Sequence, residues 1–255
     1  MPPTQAAIDR LTKCLRLSTP LIAIFDCPPS PEFEPLVRAR GRACLFAFYD
    51  RWLEGQTVVF EKSESGFTDP RNGCNGAQIA FGLVREYPPF MSHFLTDGVG
   101  APMGEGLKAR AELAQEFIDR AVSPYPSGDT VLAGPLRLSA WEHVKSVTFL
   151  VDPDRLAALM TLATYWTSEQ NTICAPFSSG CGLLWRELDN QGEDRAVIGC
   201  TDIAMRRYLP PEILGFTVTP QRFEKMLTFP DDAFLNRDWW NELMDSRERA
   251  ASKAL

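Results

Sequence analysis

Three cysteines stand where a thiolate could do chemistry: Cys44, Cys74 and Cys181. Cys181 lies in Ser178-Ser179-Gly180-Cys181-Gly182-Leu183-Leu184-Trp185, and Cys74 in Asn72-Gly73-Cys74-Asn75-Gly76-Ala77-Gln78. Each of these two follows a small-residue turn, shortly after an apolar strand pattern, at the expected start of a helix. A thiol at a helix N-terminus faces unpaired amides and the positive end of the dipole, which favours the ionised, metal-ligating form. A neighbouring glycine lets backbone approach a cluster or an anion. Cys44 falls in the first half of a helical pattern over 39–52. Three thiolates with one open position suit a [4Fe-4S] cluster whose exposed iron acts as a Lewis acid on a small anionic molecule. Two other readings stay open, catalytic thiol chemistry and three small buried packing residues.

Around this set, Asp202 and Arg206 stand four apart, as a salt bridge on one helix or as a clamp for a substrate carboxylate. Gln56 and Gln170 are expected to cap strand ends or touch a ligand. Cys14, Cys27, Cys174 and Cys200 are expected to be packing residues, with Cys200, beside Thr201-Asp202, nearest the site. The chain has two histidines, His93 and His143, which excludes a histidine-rich metal centre. Neither is sequence-adjacent to a candidate cysteine, so ligation is a better reading than nucleophilic attack.

A net charge of -7 and the lack of a long Lys/Arg run argue against a nucleic-acid partner. A chain 45% hydrophobic and 23% charged has the composition of a soluble globular protein. Asp9, Arg10 and Lys13 interrupt any signal-peptide core, and 20–25 is too short an apolar run to span a bilayer. A cytoplasmic location is therefore expected, with no membrane partner and the seven cysteines as thiols or ligands rather than disulfides. The oligomeric state stays open, a homodimer included.

The elements that must position these residues alternate. Strand patterns lie near 21–25, 56–60, 147–151, 171–175, 196–199 and 213–218. Helical patterns lie near 4–16, 39–52, 75–84, 105–122, 152–166, 203–208 and 220–227. The fold expected is α/β or α+β, a mixed sheet with helical layers in a single domain, 1–255. Turn-rich 123–134 is the best internal boundary, dividing candidate halves 1–125 and 135–230, with a C-terminal helical tail 231–255. An internal echo supports the halves. Trp52 and Trp166 each precede a glutamine by four, Gln56-Thr57-Val58-Val59 is similar in character to Gln170-Asn171-Thr172-Ile173, and both stretches lead to a Gly-Cys. Chance similarity over so few positions is the alternative, and a true repeat would relate the two cysteine turns by a rough two-fold.

The chain resembles the DUF169 family, whose function is unassigned. The resemblance covers about 5–230 and rests on several stretches in order. These are Ala43-Cys44, Gly73-Cys74-Asn75-Gly76-Ala77 with Gly82-Leu83, Val147 to Val151 with Asp152-Pro153, and Ser178-Ser179-Gly180-Cys181. It continues through Ile198-Gly199-Cys200-Thr201-Asp202-Ile203-Ala204-Met205-Arg206 and Phe216-Thr217-Val218-Thr219-Pro220 with Phe223 and Met226. Asn75-Gly76-Ala77 stands where a double glycine is commoner in that family. The resemblance implies an architecture and site positions, not an activity. Two function classes result: an enzyme with an iron-sulfur or mononuclear metal site, or a metal-free ligand-binding or sensor protein.

Overall fold

The apolar run Ile22-Ala23-Ile24-Phe25 is buried on both faces, and it becomes β1 (Ile22–Phe25) at the middle of a sheet. The structure, a computed structural model, describes residues 2–39, 44–62, 75–192 and 194–253. On one side β1 pairs antiparallel with β4 (Thr130–Pro135), on the other with β5 (Val144–Val151). Beyond β4 come β3 (Thr57–Glu61), antiparallel, and the edge strand β2 (Leu36–Arg38), parallel to β3. Beyond β5 come β8 (Leu214–Val218) and β7 (Ala196–Gly199), both antiparallel, and the edge strand β6 (Ile173–Cys174), parallel to β7. The eight-stranded order is β2-β3-β4-β1-β5-β8-β7-β6.

Alternation along the strands divides the core. Ala23, Phe25, Val147, Phe149, Phe216 and Val218 share one cluster with Leu11, Leu15, Leu159, Leu162, Phe223, Trp240 and Met244. Those partners come from α1 (Gln5–Leu15), α6 (Pro153–Ala163), α8 (Pro220–Met226) and α9 (Asp238–Lys253). Local chemistry starts these helices. The side chains of Thr4, Asp152 and Thr219 accept from Ala7 N, Arg155 N and Arg222 N, and proline opens α6 and α8.

The opposite face carries Ile22, Ile24, Val58, Phe60, Val131, Ala133 and Leu150. Short pieces cover it: a 3-10 turn at Leu45–Phe48, α2 (Tyr49–Leu53), α3 (Asn75–Ala80), a 3-10 turn at Gly182–Leu184, and α7 (Arg186–Asn190). Long helices thus close one face and turns the other, and turns are where functional side chains concentrate. Among the described residues, no helix is long and apolar enough to cross a membrane.

The turn-rich stretch 123–134 contains most of β4, which sits inside the sheet between β1 and β3. Its Gly134, which resembles a turn signal, is needed by packing, because a Cβ there would lie 2.8 Å from Thr57 Cα. Several element expectations are corrected. The helix read over 39–52 is a 3-10 turn followed by α2, and that over 105–122 shortens to α5 (Ala111–Arg120). The helix from Asn75 ends at Ala80, because Gly82 takes φ +71 and presses on the Pro124 carbonyl. Residues 203–208 form turns with a 3-10 segment at Arg206–Tyr208. The echo between Gln56 and Gln170 leads to strands in different places: β3 lies between β2 and β4, whereas β6 is an edge.

Candidate functional site

The turn before Cys181 is fixed by hydrogen bonds and close packing. Gly180 N donates to Asp202 Oδ2 at 3.0 Å, and Gly182 N to Ser179 Oγ at 3.2 Å. Ser179 Oγ and Cys181 Sγ lie 3.4 Å apart. A Cβ on Gly180 would sit 2.8 Å from both Phe46 Cε2 and Met205 Cγ; one on Gly182 would sit 2.5 Å from Ser178 Oγ. Both glycines are therefore demanded by contact. The helix expected at Cys181 is a 3-10 turn, Gly182–Leu184, followed by the five-residue α7.

Cys44 opens the matching 3-10 turn Leu45–Phe48. Phe46, two residues on, is the ring against which Gly180 packs, so the Cys44 and Cys181 turns are seated on one another. Cys44, Cys181 and Cys200 belong to one apolar cluster. Cys74 lies outside the described residues. The helix after it, α3, touches the 3-10 turn that follows Cys181, and beyond its end the Phe81 and Trp185 rings lie 6.3 Å apart. Among the described residues, no group of three or more His, Cys, Asp or Glu side chains is placed to hold a metal ion.

A family model, DUF169, described as an uncharacterised ArCR, matches residues 10–228. The chain belongs to the DUF169 family. No curated protein and no solved structure matches it.

Behind the Cys181 turn of this DUF169 protein stands a buried charged cluster that the sequence did not single out. Arg186 Nη2 donates to Ser178 Oγ at 2.7 Å and to Glu187 Oε1 at 2.9 Å, and Nη1 to Tyr87 Oη at 2.5 Å. Ser178 Oγ donates to Glu187 Oε1 at 2.7 Å. Burial lowers the guanidinium's pKa, but Tyr87, Glu187 and Cys181 more than offset it, so Arg186 is held charged. Burial pushes the Tyr87 phenol up, with Arg186 opposing. The sequence signal was an Arg-Glu pair inside the otherwise apolar stretch 183–188.

Asp202 and Arg206 are each spent elsewhere than on one another. Asp202 accepts from Gly180 N and, at 3.0 Å, from Ala204 N. Arg206 donates to the carbonyls of Cys200, Pro210, Pro211 and Ile213, which ties the loop between β7 and β8 together. Burial, then Asp202, raises the Glu105 carboxyl, with Arg207 opposing. Gln56 precedes β3 and Gln170 precedes the opposite edge strand β6, so the structure does not bring them together. His93 pairs with Asp97 at 2.9 Å and His143 with Glu142 at 3.5 Å. Cys14 and Cys174 donate to Asn236 Oδ1 and Gln191 Oε1, each at 3.4 Å. The Cys200 thiol is pushed up to about 12 by burial, with Arg206 opposing. Burial, then Asp26 and Glu32, raises Cys27 to about 11.

Proposed function

We propose that the turn-covered face of the sheet binds a thiolate-ligated metal centre, a [4Fe-4S] cluster held by Cys44, Cys74 and Cys181 with one iron open, and that a small anionic molecule is handled there. The observation that carries this reading is the seating of the Cys181 turn on the Cys44 turn through Gly180 and Phe46. The contact of α3 with the turn after Cys181 supports the place of the third thiol. Sulfur donors suit such a cluster, which when bound would supply a Lewis-acidic iron. The chain's own contribution is to shape the rim. Asp202 fixes the Gly180 amide, and Arg206 holds the neighbouring loop through its carbonyls. In this reading both act by positioning, and Gln56 and Gln170 do not share the site. A reducing, cytoplasmic setting suits these thiols. The division of the fold into two halves sharing one core belongs to the same proposal, supported by a strand order that runs alike from its two edges.

Anaerobic purification with iron and acid-labile sulfide analysis tests it. The expected protein is brown, contains both elements, and loses them in Cys44→Ala, Cys74→Ala or Cys181→Ala. A colourless protein free of metal and sulfide overturns the centre and leaves the ligand-binding or sensor reading.

A further inference from the structure

We infer that a two-fold axis between Ala23 and Val147 relates the halves of the sheet, and that it makes Cys44 and Cys181 equivalent, as a two-thiol clamp for a soft, thiophilic metal or metalloid. It deepens the proposed centre and rests on that reading for the location of the site, not for the presence of a cluster.

The strand registers carry the axis. Ala23 and Val147 face one another across the central β1–β5 pair. Going outward, Ala23 pairs with Gly134 in one half, as Val147 pairs with Val218 in the other. Val58 pairs with Ala133, as Val197 pairs with Thr217. At the edges Leu36 pairs with Thr57, as Ile173 pairs with Ala196, both parallel. Side-chain faces agree, since Ala23 and Val147 point into the same long-helix cluster. A rotation normal to the sheet preserves faces in this way.

The segments after the edge strands repeat at the same spacing. Cys44 is the eighth residue after Leu36, the start of β2, and Cys181 is the eighth after Ile173, the start of β6. In both, a 3-10 turn begins at the next residue. In both, a five-residue α-helix follows, Tyr49–Leu53 in one half and Arg186–Asn190 in the other, each beginning thirteen residues after its strand's first. The axis therefore pairs Cys181 with Cys44 rather than with Cys74. In chain order Cys74 comes after β3, the third strand of its half, and Cys200 after β7, the third of the other.

The two turns meet rather than merely correspond, because Gly180 packs on Phe46 and both cysteines enter one cluster. Cys200 does not share their position. Its backbone is left-handed at φ 58, and a Cβ on Gly215 would lie 2.9 Å from its sulfur. Two thiols from equivalent turns are a donor set for a soft ion.

Phenylarsine oxide is the probe, used on the full chain carrying Cys74→Ala. The arsenic forms two As–S bonds, and the oxide oxygen leaves as water with the two thiol protons. Intact-mass measurement should show one phenylarsenic group per chain. Adding Cys44→Ala or Cys181→Ala should abolish capture, and adding Cys200→Ala should leave it in place. Cys44→Ser and Cys181→Ser replace any alanine variant that loses its unfolding transition. No capture by the Cys74→Ala protein, or capture that persists without Cys181, overturns the pair. Iron and sulfide in the wild type without that capture would sink the pair and spare the cluster. Capture by a protein free of iron and sulfide would support the pair and sink the cluster.

Discussion

Cys200 follows β7 on a left-handed backbone, 1% exposed, with its sulfur beside Gly215. Burial holds that thiol protonated up to about 12, and Cys27 up to about 11. In the unfolded chain a cysteine ionises near 8.5, so above that pH the unfolded state releases protons that the folded state keeps. The stability these thiols contribute is fully present below about pH 8.5 and is lost as pH rises toward the folded values. Urea unfolding between about pH 7 and 10.5 should therefore show a midpoint that falls on the alkaline side, and less steeply in Cys200→Ala. Identical slopes in the variant would assign the loss to other groups. At this scale the sequence already carried the cysteine identities and the glycines beside Cys181. It did not carry Arg186's burial, because whether a guanidinium is covered depends on Tyr87, which is 99 residues away.

Helices that announce themselves by caps and periodicity form where local chemistry places them. Thr4 and Asp152 cap α1 and α6, and Ile8, Leu11 and Leu15 present one apolar stripe. The C-terminal α9 docks on α1 through Trp240, whose Nε1 donates to the Cys14 carbonyl at 2.9 Å. Trp239 is 56% exposed and stacks on Phe234, with centroids 6.2 Å apart. Trp240→Ala should cost about 3–5 kcal/mol in chemical denaturation, as for a large buried aromatic. Trp239→Ala should cost under about 1 kcal/mol. Equal losses would show that α9 docks through both rings. Short elements were the least legible. β4 follows Gly128-Asp129 and ends in Gly134-Pro135, residues that usually interrupt strands, and only its pairing with β1 and β3 makes it one.

At the scale of the molecule, β1 and β5 join the two sides into one continuous sheet, and the long-helix cluster spans both. Unfolding one side would strip the hydrogen-bond ladder and the packed face of the other. Urea unfolding followed by far-ultraviolet circular dichroism and by tryptophan fluorescence should thus give coincident single transitions. Two separated transitions would mean that the halves fold independently of the shared strands.

The sequence by itself determined the strands near 21–25, 56–60, 147–151, 196–199 and 213–218, the capped helices, and the DUF169 membership. Periodicity, capping and the order of family motifs are local or linear properties, present before the chain closes on itself. Only the tertiary structure decided that β4 lies between β1 and β3, that Gln56 and Gln170 stand toward opposite edges, and that the Cys181 turn rests on the Cys44 turn. The neighbours of β4 are chosen by packing among residues far apart in sequence, as Ile22 pairs with Pro135 and Val58 with Ala133. A Gly-Cys turn has the same local character whichever cysteine it meets, so its partner is a fact of the sheet.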